Sequence, residues 1–272
     1  MNHLLRERAP ITEAGWDLLD EEARERLTPV LAARKLVDFS GPHGWDQSAT
    51  NLGRVTELDS VPVEGLNAAT RRVLPLVEVR APFEISRSEL RAADRGARDV
   101  DLGPLDRATY RIACAENIAV LHGWPGAFVG IAEASSLAGP PLGDSPEAYP
   151  DAIAGALVLL REAGIGGPYA IALGPEQYRR VLAAGDRGGY PLLEHLGKIL
   201  DGPILPVPGI VGATVISVRG GDFRFESGQD LSIGYESHDA DVVRLYLEES
   251  FSFHVATPEA AVALLPHGGA TD

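Results

Sequence analysis

The chain has 272 residues, of which 45% are hydrophobic, and it carries 39 acidic and 24 basic side chains, for a formal net charge of −15 at pH 7. A chain of this length and composition can bury a substantial core, in one domain or two smaller lobes, and is not typical of a disordered protein. The acidic balance disfavours a nucleic-acid partner, and the single Cys114 excludes an internal disulfide and a zinc site built from several thiolates.

No run of the sequence reaches the roughly 20 consecutive apolar residues of a bilayer-spanning helix. Residues 1–8 mix acidic and basic side chains and lack the apolar stretch of a secretion signal. The sequence therefore predicts a cytoplasmic protein without a membrane partner.

Residues 1–45 are predicted to form a helix, a strand and a turn. Thr12 is a suitable N-cap for the helix. Apolar side chains then recur every three or four positions, at Trp16, Leu19, Ala23 and Leu27. Pro29 is expected to end this helix and to begin a short second one. Residues 35–39 are typical of a strand, which ends in a turn containing glycine and proline at 41–45.

Residues 46–73 are polar and weakly periodic, and they offer few apolar side chains for a core. A connection of this length in a compact domain is usually functional or disordered. Two interpretations stay open: a mobile surface insertion, or an extended hairpin that lies on a neighbouring copy of the chain.

Residues 74–130 are predicted to contain one long strand and two helices. The strand spans 74–85, and its side chains alternate between two faces. A short helix follows over 86–94, and Pro104 begins a longer helix that ends before Gly123.

Residues 131–217 alternate between helical and strand patterns, which predicts an α/β lobe. Helices are expected to begin near Pro146, Pro175 and Leu192, and strands are expected near Tyr169, Ile204 and Thr214. A glycine-rich loop at 183–191 precedes the last of these helices.

Residues 218–272 change character. The segments 222–226 and 242–255 alternate with period two, which predicts sheet strands with one buried face. Thr257 is expected to cap a short final helix. The whole chain is therefore predicted to be α+β, with a central α/β lobe flanked by sheet-rich segments from both ends of the chain.

Patterns for catalysis or metal binding are missing from the sequence. None of the seven histidines has a second histidine at metal-ligand spacing, and no HExxH, GxSxG, GxGxxG, P-loop or CxxC motif occurs. We therefore predict no catalytic residue and no metal site, and we expect a protein that is not an enzyme.

Several short motifs acquire meaning when they are taken together. They are Ala-Pro-Ile-Thr at 9–12, Ala-Arg-Lys-Leu-Val-Asp at 33–38, Gly-Pro-His-Gly-Trp at 41–45, Leu-Pro-Leu-Val-Glu-Val-Arg at 74–80, Gly-Tyr-Pro-Leu at 189–192 and Gly-Gln-Asp-Leu-Ser-Ile-Gly-Tyr at 228–235. In this order they resemble the encapsulin family, whose members were once labelled linocin-like bacteriocins. Each motif alone is weak, but together they are specific and cover nearly the whole chain.

The resemblance implies the fold of the tailed-phage major capsid protein and self-assembly into a closed icosahedral shell. It implies a peripheral lobe built from residues 1–45, 74–130 and 218–272, an extended loop at 46–73 and an axial lobe at 131–217. Family members package a cargo enzyme, often a dye-decolorizing peroxidase or a ferritin-like protein, that carries a C-terminal targeting peptide.

The resemblance also implies that this peptide docks inside the shell, between the N-terminal helix and the peripheral lobe. The candidate cargo-peptide-binding residues are Leu27, Arg34, Asp38, Asp230, Leu231, Ile233 and Tyr235. Apolar side chains would receive leucine and isoleucine anchors, and Asp38 or Asp230 would receive basic residues. The alternative is that Arg34 and Asp38 form a structural ion pair.

A second set of candidates follows from the same resemblance. Asp186, Arg187, Gly188, Gly189 and Tyr190 match the loop that lines the five-fold pore of related shells. Glycines allow backbones to converge near an axis, and the charged side chains would act on passing ions. Some relatives bind a flavin beside an aromatic residue in the helix after 74–85, but Ser88 and its neighbours provide no ring, so no cofactor is expected.

Two other functions stay open. A viral major capsid protein would share the fold and cannot be separated from a cellular shell by the sequence alone. A stand-alone hydrolase or protease would need a nucleophile and base motif, which the sequence lacks.

Overall fold

The first helix begins where the Thr12 side chain accepts a hydrogen bond from the backbone N–H of Gly15. The computed structural model describes residues 3–143, 145–184 and 191–266. Its helices are α1 Glu13–Val30, α2 Arg87–Asp94, α3 Gly103–Leu121, α4 Ile131–Ala134, α5 Tyr149–Glu162, α6 Pro175–Ala183 and α7 Leu192–Leu200. Its strands are β1 Asp38–Ser40, β2 Ala49–Glu57, β3 Ala69–Pro75, β4 Val77–Ser86, β5 Tyr169–Leu173, β6 Ile204–Pro206, β7 Ala213–Ser217, β8 Phe223–Ser227, β9 Ser232–His238, β10 Val242–Val255 and β11 Ala261–Leu264.

The expected break of the first helix at Pro29 is wrong. Helix α1 continues to Val30, with Pro29 inside its last turn. The proline removes only one backbone hydrogen bond there, to the carbonyl of Glu25, whose side chain is exposed. The helix therefore tolerates the proline and ends one turn later than its sequence pattern predicts.

The strand expected at 35–39 is also shorter than predicted. Residues Ala33–Lys35 form a 3₁₀ turn, and β1 begins only at Asp38. The backbone N–H groups of Ala32 and Ala33 both donate to Oδ1 of Asn117 in α3. This buried side chain satisfies the backbone in a turned conformation, so the extended one is not adopted.

The first sheet is organised around β10. Along the described strands the order is β1-β8-β10-β4, with β9 also paired to β10. The first half of β10 lies between β4 and β9, and its second half pairs with β8; all three neighbours are antiparallel to it. Helices α1 and α3 pack on this sheet, where Leu19, Ala23 and Leu27 join one apolar cluster with Ile233 and Leu247.

The second sheet has the order β11-β7-β5-β6 and carries the α/β segment. Strands β5 and β7 are buried along their whole length. The final helix expected after Thr257 is wrong, because Pro258–Ala260 is a 3₁₀ turn and the next four residues form β11. Those residues are all apolar, so they have no polar face for a surface helix and instead complete the edge of the sheet.

The segment 46–73 contains most of an extended hairpin, and the expected contact of that hairpin with a neighbouring copy stays a prediction. Strands β2 and β3 pair only with each other in the described structure and form a separate two-stranded sheet. The strand expected over 74–85 divides at Leu76, which lies between β3 and β4. The hairpin is therefore a direct extension of the edge of the first sheet.

Candidate functional site

A groove lies between the N-terminal helix and strand β9, and we call it the α1–β9 groove. Its volume is about 420 Å³. Its helical wall consists of Asp20, Ala23, Arg24, Leu27, Thr28 and Leu31, and its strand wall consists of Leu231, Ser232 and Ile233. The helical residues recur every three or four positions, so the helix places them all along one side. Leu247 of β10 and the side chains of Arg6, Arg34 and Asp230 complete the lining.

Arg34 binds three carboxylates at one end of the α1–β9 groove. Its Nε donates to Glu116 at 2.7 Å, and its two terminal nitrogens donate to Asp230 at 2.7 Å and to Glu249 at 2.8 Å. The guanidinium also lies against the rings of Phe39 and Phe225. Burial alone lowers the Arg34 pKa, but the three carboxylates outweigh this effect and raise the pKa above its ordinary value.

Two of these carboxyl groups are fully buried. Burial raises the pKa of Glu116, and Arg34 opposes that shift. Burial, and after it the charge of Glu116, holds the pKa of Glu249 well above its usual range. The Oε1 atoms of both residues have no donor from another described residue, while the two carboxyl groups interact with each other. A proton held between two adjacent buried carboxyl groups would supply a donor to them and lower their combined negative charge.

The structure brings five of the seven candidate peptide-binding residues together. Leu27, Arg34, Asp230, Leu231 and Ile233 all line the α1–β9 groove. At its rim, Oδ1 of Asp230 accepts both the Arg34 guanidinium and the backbone N–H of Leu231, at 2.7 and 2.9 Å. The groove therefore combines an apolar floor with an ionic end.

The other two candidates lie outside this lining. Asp38 accepts a hydrogen bond from the backbone N–H of Gly221 at 2.6 Å. The expected alternative of an ion pair between Arg34 and Asp38 is wrong, because the guanidinium of Arg34 pairs with Glu116, Asp230 and Glu249 and not with Asp38. Tyr235 points its hydroxyl to Nδ1 of His238 at 2.7 Å, and its backbone N–H donates to the Leu4 carbonyl.

Sequence reasoning missed the two buried acids that bind Arg34. Glu116 lies four residues after Ile112, on the side of α3 that was already predicted to be apolar. Glu248 and Glu249 are consecutive in an alternating strand, so one of them had to face the core side of the sheet. A charge at a core position was the signal that could have revealed both.

The pore-lining candidates Asp186, Arg187, Gly188, Gly189 and Tyr190 lie outside the described residues. Within the described ranges, no three or more His, Cys, Asp or Glu side chains are grouped to hold a metal ion. No helix of those ranges has the length and apolar character that crossing a bilayer requires.

One surface cluster contains the side-chain types of a hydrolase relay. Nε2 of His43 lies 2.9 Å from Oγ of Ser40 and 3.0 Å from Oε2 of Glu226. In a serine relay the carboxylate holds the ring nitrogen opposite the one that faces the serine. Here both contacts involve the same nitrogen, so this cluster lacks the geometry of the relay.

Two solved structures, one of a virus-like particle and one from a phage, have the same fold. The virus-like particle of Pyrococcus furiosus superposes with a TM-score of 0.64 at 19% identity, covering 92% of this chain and 98% of that one. The corresponding values for a Mycobacterium phage Bobi chain are 0.58, 15%, 89% and 92%. The predicted α+β fold of tailed-phage major capsid proteins is thereby confirmed.

Sequence comparison gives the family. Residues 1–252 match a family described as "Encapsulating protein for peroxidase". A type 1 encapsulin shell protein of Rhodospirillum rubrum is 45% identical over 97% of this chain and 96% of its own length. One from Mycobacterium tuberculosis is 41% identical over 97% and 99%. The chain belongs to the family of type 1 encapsulin shell proteins.

Proposed function

We propose that copies of this shell protein close into a hollow icosahedral particle in the cytoplasm and retain a cargo enzyme by its C-terminal peptide. The family description makes a peroxidase the first cargo class to test. The ferritin-like protein that the resemblance implies is the second. In this proposal the protein acts by assembly and capture, and not by catalysis.

The observation that carries the assembly part is the hairpin. Among the described residues of one chain its strands pair with no other sheet, and it exposes the apolar side chains Val55, Leu58, Val63 and Leu66 to between 48% and 61%. Exposed apolar side chains along an extended arm favour contact with another protein surface. A neighbouring copy supplies that surface in a symmetric shell, because every copy offers the same arm and the same acceptor.

The α1–β9 groove supports the capture part. Leu27, Leu231 and Ile233 form an apolar floor for aliphatic anchors, and Asp230 offers its second oxygen to a basic residue. Many weak peptide contacts inside one shell add up, because cargo held by one subunit meets others at high local concentration. We assign Asp38 and Tyr235 to the margins of this site.

The remaining assignments follow the family. The peripheral lobe comprises residues 1–45, 74–130 and 218–272, and the axial lobe comprises 131–217. Residues 186–190 line a pore that passes small molecules or ions. Exchanging Asp186 and Arg187 for alanine should alter the entry of a small cargo substrate without preventing assembly, and unchanged entry would count against the pore assignment.

Size-exclusion chromatography with negative-stain microscopy tests the assembly proposal. A hollow particle in the megadalton range is expected, and a folded protein that stays monomeric or dimeric would overturn it. The nucleic-acid content of the purified particle separates a cellular shell from a viral capsid. The charge of −15 leads us to expect no nuclease-protected genome.

Co-expression with a fluorescent protein that ends in a Leu- and Ile-containing basic peptide tests the capture proposal. Leu231→Asp should reduce fluorescence per particle by about tenfold, because it places a charge among the apolar anchors. Leu231→Met is the matched control and should load normally. Equal loading by both variants would show that the peptide binds elsewhere.

A further inference from the structure

Arg6 joins the two walls of the α1–β9 groove. Its guanidinium donates to both carboxylate oxygens of Asp20 in α1, each at 2.7 Å, and its Nε donates to the carbonyl of Ile233 in β9 at 2.8 Å. The same group lies 4.6 Å from the ring centroid of Trp16. A bidentate arginine–carboxylate pair with a third fixed hydrogen bond holds its position well.

The two ion pairs of the groove lie at its opposite ends. On the helical side, Asp20 comes 14 residues before Arg34. On the strand side, Ile233 comes three residues after Asp230. Arg6 connects Asp20, at the start of the helical wall, to Ile233, at the end of the strand wall. Arg34 follows the helical wall and binds Asp230, which comes just before the strand wall. Helix and strand therefore run in opposite directions, with a salt bridge closing each end.

The distance between these ends limits what the groove accepts. From Asp20 to Leu31 the helix rises about 16 Å at 1.5 Å per residue. An extended chain rises about 3.3 Å per residue, so about five residues span the helical wall, whereas the strand side from Asp230 to Ile233 is about 10 Å long and matches about three. Because successive side chains of an extended peptide alternate, about three of the five would face the apolar floor.

The strand edge beyond Ile233 is already occupied. The backbone N–H of Tyr235 donates to the carbonyl of Leu4 at 2.9 Å, and the Leu4 side chain is buried. Leu5 then adopts a left-handed backbone conformation, with φ of 51°, which leads the chain into Arg6. An unpaired strand edge would let a bound peptide continue along β9, but this N-terminal segment covers it.

We propose that Arg6 is a positioning residue that limits the length of the peptide accepted by the groove to a segment of about three to five extended residues, with aliphatic anchors at alternate positions. The inference rests on the proposed docking of cargo in this groove. A small residue can pass beside Arg6, whereas a bulky residue directly after the anchors collides with it.

Three fluorescent cargo proteins test this assignment, each with a C-terminal Leu-Ser-Ile-Ser-Leu segment. In the matched cargo the segment is flanked by serines, and in the other two a tryptophan replaces the preceding or the following serine. Wild-type shells should load the cargo whose tryptophan meets Arg6 about tenfold less than the matched cargo. In Arg6→Ala shells that same cargo should recover to within about twofold of the matched one, which also reveals the direction of the peptide.

Arg26→Ala is the control, because it removes the same charge from α1 at an exposed position paired with Glu22, outside the groove. It should keep the wild-type discrimination. If Arg6→Ala prevents assembly, Asp20→Asn decides, since it weakens the bidentate pair but leaves the bond from Arg6 to Ile233. If the variant that assembles, Arg6→Ala or Asp20→Asn in its place, still discriminates between the cargo proteins as the wild type does, the role of Arg6 is overturned. If wild-type shells fail to load even the matched cargo, the docking site itself is overturned.

Discussion

Removal of the Arg34 guanidinium is the most direct test of the ion cluster. In Arg34→Met the buried carboxyl groups of Glu116 and Glu249 lose the cation that they share, while the methionine keeps part of the side-chain volume. Breaking a buried ion pair in this way costs about 3–5 kcal/mol. For a domain of this size, that loss corresponds to a decrease in Tm of about 6–20 °C.

Calorimetry of assembled particles at equal subunit concentration measures this effect, because assembly makes Tm concentration-dependent. Arg26→Met provides the comparison, because Arg26 is exposed, solvent screens its pairs with Glu22 and Asp106, and their loss should change Tm much less. Adding Glu116→Gln and Glu249→Gln to Arg34→Met should restore much of the lost Tm, because no unpaired buried charge then remains around position 34. A triple variant no more stable than Arg34→Met would refute the explanation by uncompensated charge.

Three further outcomes follow from the structure. Because the pKa of Glu249 is raised in the folded protein, its contribution to stability is fully present below its unfolded pKa of about 4.3 and is lost as pH rises through the folded pKa. When Tm is measured against increasing pH, it should therefore decline less for Glu249→Gln than for the wild type. Leu58→Lys in the hairpin should shift the protein to small species in size-exclusion chromatography, whereas Glu57→Lys should not. Gly234→Ala should lower Tm by the equivalent of about 1–3 kcal/mol, because the added methyl group collides with the aromatic ring opposite it on β10. Gly197→Ala, with open space around it on α7, should leave Tm unchanged or raise it slightly; equal Tm values for the two glycine variants would contradict the packing described here.

The elements that sequence periodicity located well are those whose own side chains determine their packing. Strand β10 and helix α7 occur at their predicted residues because each has a regular apolar pattern. The predictions failed where a distant residue decides the backbone. Asn117 turns residues 33–35 away from a strand, and the exposed edge of β7 draws the C-terminal segment into β11.

The candidate site was predictable to a similar extent. The resemblance selected residues on both walls of the groove, and alternation in the 228–235 motif is consistent with Leu231 and Ile233 lying on the same wall. The partners of Arg34 were not predictable, because Glu116 and Glu249 are separated from it by long stretches of chain. Asp38, close to Arg34 in sequence, was the more obvious partner, but its carboxylate binds a backbone N–H instead.

Consecutive acids on the longest strand have a mechanical consequence. Glu249 holds Arg34 on one face of the first sheet, and Glu248 binds His3 and Arg80 on the other, at 2.8 and 2.6 Å. Sliding β10 by a single position would exchange the two carboxylates, separate Arg34 and Arg80 from their counter-ions, and break the hydrogen bond of His3. Contacts on both faces of the sheet therefore hold β10 in a single register. Glu248 and Glu249 together keep the base of the hairpin at a fixed spacing from the groove.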